Sequence, residues 1–297
     1  MTLYDGTRPY PLLSRLLSPR GNGNAHALTR ATRGKVILLT GASFGIGRAL
    51  ALRLGQAGAQ LILAARSLEQ LESVVDEIKA AGGQARAQAL DLTDPAGIDA
   101  FCAQLASEGT VVDIVIHNAG KSIRRLVTQS LDRAHDYRRT MGVNYLGPVQ
   151  LQLALLPAMI ARQNGHIINI SSLGVLLPPA PRWSAYSASK TAFDTWIRSA
   201  EPELGLYKID CTSIYFGLVH TRMSAPTDAY RTMPGMTADE AAQVICRAII
   251  QRPRTITPWW IAPLRVLAPW CDGVLNAVWR WLLRHDKNIE RAGKASR

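Results

Sequence analysis

Cysteine is scarce in this 297-residue chain, and acidic residues are missing from long stretches of it. The four cysteines, Cys102, Cys211, Cys246 and Cys271, stand far apart with no C-x-x-C spacing. That spacing excludes a disulfide framework and a cysteine zinc site, and suits a reducing cytosol. The six histidines show no paired ligand spacing, so no metal is expected. Near the N-terminus Ser14-Arg15 separates Leu12-Leu13 from Leu16-Leu17, so no signal peptide is expected. Residues 256–284 are apolar but interrupted by Arg265, Asp272 and Arg280, and so lack the roughly 20 unbroken apolar residues of a bilayer-crossing helix.

With 47% hydrophobic and 19% charged residues the chain is neither disordered nor fibrous. Its length suits one large domain or two small ones, ample for a buried core. The net charge of +12 is unevenly spread. Residues 1–68 hold nine Lys/Arg against Asp5 alone, and residues 247–297 hold ten against three acids. The middle, 69–246, is slightly acidic, with fifteen basic residues against eighteen acidic ones. Basic flanks on a near-neutral body point to a membrane-surface or polyanion contact. Zinc-finger spacing, an RNP-like aromatic strand and a long basic helix are all missing, so no nucleic-acid partner is expected.

From residue 35 onward strand-like and helix-like runs alternate. Strands are predicted over 36–40, 60–64, 86–90, 113–117, 166–170 and 210–215. Helical periodicity covers 46–56, 68–80, 148–161, 185–200 and 238–250. Strands joined by crossover helices predict an α/β fold, a single doubly wound parallel sheet of the Rossmann-like type, with N- and C-terminal extensions. The expected organisation is a basic N-terminal extension over 1–33, one α/β domain over 34–255 and a Trp/Arg-rich tail over 256–297. Within the extension, 18–33 reads as a linker because of Pro19, Gly21 and Gly23. In the tail Trp259, Trp260, Trp270, Trp279 and Trp281 stand beside Arg265, Arg280, Arg284 and Lys287. A helix over 270–283 would group Val274, Leu275, Val278, Trp281 and Leu282. Such a face either lies in a membrane interface or packs on the domain or a partner.

The first strand runs into Thr40-Gly41-Ala42-Ser43-Phe44-Gly45-Ile46-Gly47 and then a helix. Glycines permit a tight turn and close backbone approach, and the helix start offers free N–H groups to a pyrophosphate. The second strand ends on Arg66, where an NAD-binding chain would place an acid for the ribose hydroxyls; an arginine suits the 2′-phosphate of NADPH. Tyr186 and Lys190 are spaced to share one helix face, and a lysine cation beside the phenol is expected to lower its pKa from about 10. Ser171-Ser172 ends the preceding strand.

Taken together, these stretches resemble the short-chain dehydrogenase/reductase family over residues 34–257. The matching segments are TGASFGIG at 40–47, Asp91-Leu92, HNAG at 117–120, VNYLG at 143–147, ISS at 170–172, YSASK at 186–190 and FGLVHT at 216–221. The resemblance implies a catalytic set of Asn144, Ser172, Tyr186 and Lys190. It implies cofactor contacts from Gly41, Ser43, Phe44, Gly45, Ile46 and Gly47, and from Arg66. It sets Asp91 and Leu92 against adenine, Asn118, Ala119 and Gly120 beside its ribose, and Val219 and Thr221 at the nicotinamide amide. Three features depart from the family pattern: His117 replaces a first Asn, Phe216 replaces the proline of the turn after the sixth strand, and the stretch from Ser172 to Tyr186, with Pro178, Pro179 and Pro181, is one residue longer than the commonest spacing.

Within the family the chain is most similar to bacterial fatty acyl-CoA reductases that release aldehydes. The similarity rests on Gly120-Lys121-Ser122-Ile123-Arg124-Arg125, on 135–141, and on 212–215 with 218–221. It implies NADPH-dependent reduction of an acyl-CoA; an alcohol dehydrogenase or ketoreductase acting on a hydrophobic carbonyl would use the same residues. Lys121, Arg124 and Arg125 either clamp a coenzyme A phosphate or form a solvated basic loop. Trp183 is expected at the substrate mouth; Trp196 and Cys211 are expected in the core. The expected form is a cytoplasmic homo-oligomer, peripheral on the inner face of the membrane.

Overall fold

The computed structural model describes residues 10–285; Lys287 and the outermost parts of both flanks lie outside them. The strands among the described residues are β1 (Val36–Thr40), β2 (Gln60–Ala65), β3 (Gln84–Ala89), β4 (Ile114–His117), β5 (Gly165–Ser172), β6 (Ile209–Phe216), β7 (Val219–His220), β8 (Met236–Thr237) and β9 (Thr255–Ile256). The helices are α1 (Pro11–Leu17), α2 (Ala25–Thr32), α3 (Gly45–Gln56), α4 (Leu68–Ala80), α5 (Pro95–Ser107) and α6 (Ala134–Met141), followed by α7 (Gly147–Arg162), α8 (Ser184–Gly205), α9 (Ala238–Gln251), α10 (Ile261–Leu267) and α11 (Asp272–Arg284). Seven strands form one parallel sheet in the order β3-β2-β1-β4-β5-β6-β9, and β7 and β8 form a separate small pair. This is the doubly wound α/β architecture expected from the sequence.

Strand alternation divides the core in two. Ile37 and Leu39 of β1 and Ile114 and Ile116 of β4 pack with α3, α4 and α9. Leu38 and Val115, the residues between them, face α5, α7 and α8. Both faces are covered, which is why the central strands are almost wholly apolar. The strand order reverses between β1 and β4, so the loops leaving these two strands diverge and open a crevice at their carboxyl ends.

The segment 18–33 is not simply a linker. It contains α2, capped by Asn24, whose side chain accepts the Ala27 N–H at 3.0 Å. Leu28 and Thr32 are buried, with Leu28 joining the core of the α9 side. The edge strand β9 is two residues long, too short to leave a period in the sequence. Ala134–Arg162 is long and apolar enough to cross a bilayer by composition. Leu151, Leu155, Leu156 and Met159 of this stretch are nevertheless buried in the core, which is what its apolarity serves.

Candidate active site

The crevice is built first from backbone. Gly41 has φ +69°, and a Cβ there would lie 2.8 Å from Ala119 Cα; one on Gly47 would lie 2.1 Å from the Gly41 carbonyl oxygen. Both positions therefore need glycine. The Thr40 hydroxyl accepts the N–H groups of Asn118 and Ala119, each at 3.1 Å. The Asn118 side-chain amide donates to the carbonyls of Thr40 and Gly41, each at 3.0 Å. The loops after β1 and β4 are thus stitched into one floor.

Beyond Gly41 the chain passes Ser43 and exposed Phe44, and Gly45, Ile46 and Gly47 open α3 with unpaired N–H groups at its start. Thr221 stands beside this turn, its Cγ2 lying 3.1 Å from where a Gly45 Cβ would be. The Arg222 guanidinium covers the Phe44 ring at 4.8 Å. Val219 is buried in β7. Arg66 is exposed directly after β2. Asp91 holds a turn by accepting the Thr93 N–H and hydroxyl, each at 2.8 Å, and Leu92 is buried. A floor that admits no side chain and a free helix start fit the pyrophosphate of a dinucleotide.

The four residues of the expected catalytic set converge on this floor. Between α6 and α7 the helix widens into a π-turn at Gly142–Leu146, which carries Asn144. Asn144 is buried: its Oδ1 accepts the Lys121 N–H at 2.8 Å, and its Nδ2 donates to the Lys121 carbonyl and the Ser189 hydroxyl, each at 2.9 Å. Ser189 in turn donates to the Tyr186 carbonyl at 2.8 Å. Lys190, one helical turn after Tyr186, is buried and donates from Nζ to the Ile170 carbonyl at 2.9 Å. Gly120 completes the junction, since a Cβ there would sit 3.4 Å from Asn144 Oδ1 and 3.5 Å from Lys190 Nζ. Ser172, at the end of β5, accepts the Gly174 N–H at 3.2 Å and hydrogen-bonds with Tyr186.

Electrostatics correct one expectation. Burial raises the Tyr186 pKa above its ordinary value, against the hydrogen bond from Ser172, and neighbouring Tyr230 adds to the rise. Lys190 points its ammonium at the Ile170 carbonyl. Its own pKa is drawn down by burial to about 8, with Asp194 pulling the other way. The helical spacing of the two residues holds, but the phenol sits in an environment that keeps its proton on.

Around the mouth, Trp183 meets the Tyr186 ring edge-on at 5.7 Å and stacks on Tyr230 at 6.3 Å. Of the three basic residues after β4, Arg125 is held inward, with Nε 3.4 Å from buried Asp136. Arg124 is exposed and close enough to Tyr230 to influence its hydroxyl. Phe216 is buried and extends β6 through its pairing with Ser172, a place where proline would have no N–H to donate. Cys211 is a core residue whose thiol is pushed up to about 12 by burial. Trp196 stacks on Phe193 at 5.8 Å and packs against the core.

The profile of the family described as short chain dehydrogenase matches residues 35–231. The chain belongs to the short-chain dehydrogenase/reductase family. As a member it is an oxidoreductase. The fatty acyl-CoA reductase of Acinetobacter baylyi is 50% identical over 236 residues, 79% of this chain and 80% of that protein. A fatty acyl-CoA reductase of Mycobacterium tuberculosis is 42% identical over 253 residues, 85% of this chain and 84% of that one. Among solved structures, a metagenomic short-chain oxidoreductase in complex with NADP aligns with TM-score 0.64 and 34% identity, covering 74% of this chain and 93% of that chain.

Sequence reasoning passed over several groups in this short-chain dehydrogenase site. Thr40 and Ser189 lie inside quoted motifs, yet only the fold shows that their hydroxyls tie loops together. Tyr230 and Arg222 come from the segment after β7, where no motif flags them. Asp194 is fully buried one turn beyond Lys190, a position that reads in sequence as an ordinary solvated helix face.

Proposed function

We propose that this short-chain reductase converts a fatty acyl-CoA thioester to the aldehyde with NADPH. The observation that carries the reading is the 50% identity, over four-fifths of both chains, to a protein named fatty acyl-CoA reductase. In the proposed complex Gly41, Ser43, Phe44, Gly45, Ile46 and Gly47 cradle the pyrophosphate, and Arg66 pairs with the 2′-phosphate. Asp91 and Leu92 hold the adenine, Asn118, Ala119 and Gly120 its ribose, and Val219 and Thr221 the nicotinamide amide. When bound, the reduced nicotinamide supplies hydride to the thioester carbonyl carbon. Ser172 and Tyr186 donate hydrogen bonds to the carbonyl oxygen as negative charge develops there. Tyr186, whose environment favours the protonated phenol, passes its proton to that oxygen. Lys190 holds the nicotinamide ribose, and Asn144 anchors the water through which Tyr186 is reprotonated. In the resulting hemithioacetal the C–S bond breaks, the carbonyl re-forms and the hydroxyl proton ends on the departing thiol. No enzyme cysteine takes part, consistent with a Cys211 thiol held protonated in the core.

Palmitoyl-CoA and NADPH test this directly, with free thiol measured by a disulfide dye and aldehyde trapped as a hydrazone. One thiol and one aldehyde should appear for each NADPH consumed. NADPH consumption with a hydrophobic ketone or aldehyde, and no thiol released from palmitoyl-CoA, would identify a carbonyl reductase instead.

A further inference from the structure

Two exposed apolar segments from opposite ends of the chain meet on one side of the molecule. The indole N–H of Trp259 donates to the Leu16 carbonyl and that of Trp260 to the Leu17 carbonyl, each at 3.0 Å, across 243 positions of sequence. Helix-terminal carbonyls have no partner within their own helix, so the two tryptophans cap α1 and fasten it to the start of the tail. At seven residues α1 is too short to persist alone. Its inner side is held by Ser14, which is buried and accepts the Gly235 N–H at 3.1 Å. Its outer side presents Leu12, 81% exposed, and Leu16.

The tail carries a second exposed apolar face. Trp270 is 87% exposed, and Val274, Val278 and Trp281 follow it outward along α11. On α11 the polar residues Asn276, Arg280 and Arg284 recur at helical spacing beside that apolar face. None of the described side chains of α11 is buried. The charge is one-sided: no acidic residue occurs between residues 6 and 68, and Asp272 is the only one between 253 and 285. Arg15 on α1, Arg265 on α10 and Arg280 and Arg284 on α11 therefore accompany these apolar faces with almost no acid to balance them. A two-fold contact between copies would set these cations against one another. Tryptophan and arginine bordering an apolar face suit the headgroup region of an anionic bilayer, where indole and guanidinium stay wet while the apolar parts sink.

We infer that α1 and the α10–α11 tail, joined by Trp259 and Trp260, form a single docking surface for an anionic lipid bilayer. The unit is composite: each segment contributes its own exposed apolar residues. Ile261 and Trp260 also pack against Leu173, Val175 and Leu176, the residues that follow Ser172, so the surface adjoins the crevice. The inference does not depend on which carbonyl compound is reduced.

Flotation of the full chain with vesicles of phosphatidylcholine alone, or equimolar with phosphatidylglycerol, tests it. The protein should float with the anionic vesicles and much less with the neutral ones, and raising salt to about 0.5 M should weaken binding. Leu12→Glu/Leu16→Glu and Val274→Glu/Val278→Glu should each cut the bound fraction by at least about tenfold, because each removes one part of a joint surface. All four positions are exposed, so far-UV circular dichroism, thermal midpoint and turnover of a short water-soluble acyl thioester should stay unchanged. Absence of flotation with anionic vesicles overturns the inference, as does binding indifferent to phosphatidylglycerol or an α1 double variant that binds like wild type. A dimer in sedimentation velocity that the same glutamates dissociate, without vesicle binding, assigns the surface to a second copy and likewise overturns it. Because vesicle binding is read without turnover, each of these failures leaves the proposed reductase activity standing.

Discussion

Burial acts in opposite senses on the two central side chains: it keeps the proton on Tyr186 and loosens the one on Lys190, whose pKa falls to about 8. Replacing Tyr186 with phenylalanine keeps the ring against Trp183 and removes the only phenolic proton of the set. Tyr186→Phe should retain NADPH binding, measured by fluorescence titration, and lose about 10²–10⁴-fold in kcat. A variant that turns over normally would remove Tyr186 from the chemistry. Arg66 is exposed at the end of β2, so its contribution is a contact rather than packing. A charge-assisted bond to a 2′-phosphate is worth about 1.5–3 kcal/mol, so Arg66→Ala should weaken NADPH about ten- to a hundred-fold and leave NADH nearly unchanged. Equal weakening of both cofactors would leave Arg66 a purely structural residue.

At the scale of elements, the site depends on pieces that are short or irregular. Asn144 reaches both Lys121 and Ser189 because it rides a π-turn, which displaces one residue from regular helical register. The segment α2 shows how tertiary packing makes a helix from a stretch with linker-like composition. Asn24 caps it, and Leu28 and Thr32 are buried against neighbouring elements. Leu28→Ala should therefore cost about 2–5 kcal/mol, as truncation of a buried leucine does. A urea midpoint unchanged from wild type would show that α2 contributes nothing to the fold.

For the whole molecule, the acid limb of stability is set in part by two histidines enclosed in the sheet. Burial lowers the His117 pKa to about 4, against a contact with Gln152 at 3.0 Å, and lowers that of His166 to about 3. Both are neutral in the fold, whereas the unfolded chain protonates them near pH 6.5. Their contribution is thus complete above about pH 6.5 and is lost as pH falls towards their folded values, by about 1.4 kcal/mol per pH unit for each histidine. Unfolding free energies from urea titrations should accordingly drop between pH 7 and pH 5 by about 4 kcal/mol from this pair. His117→Asn should lose about 2 kcal/mol less over the same interval. Parallel losses in wild type and variant would mean that His117 is protonated without cost.

Much of the crevice was legible in sequence because its constraints are local. A glycine pattern at a strand–helix junction is required by backbone clearance, and Tyr186 and Lys190 share a face through helical spacing alone. The alternation of apolar runs with amphipathic helices likewise determined the parallel, doubly wound sheet. What only the tertiary structure decided are relations between distant segments. The direction of the Tyr186 shift depends on burial and on Tyr230, and the inward turn of Arg125 depends on Asp136. The helicity of α2 depends on the packing of Leu28, and the union of the two ends depends on Trp259 and Trp260 reaching carbonyls 243 residues away. Periodicity records the face an element buries; it carries no record of which remote side chain will remove water from a given group.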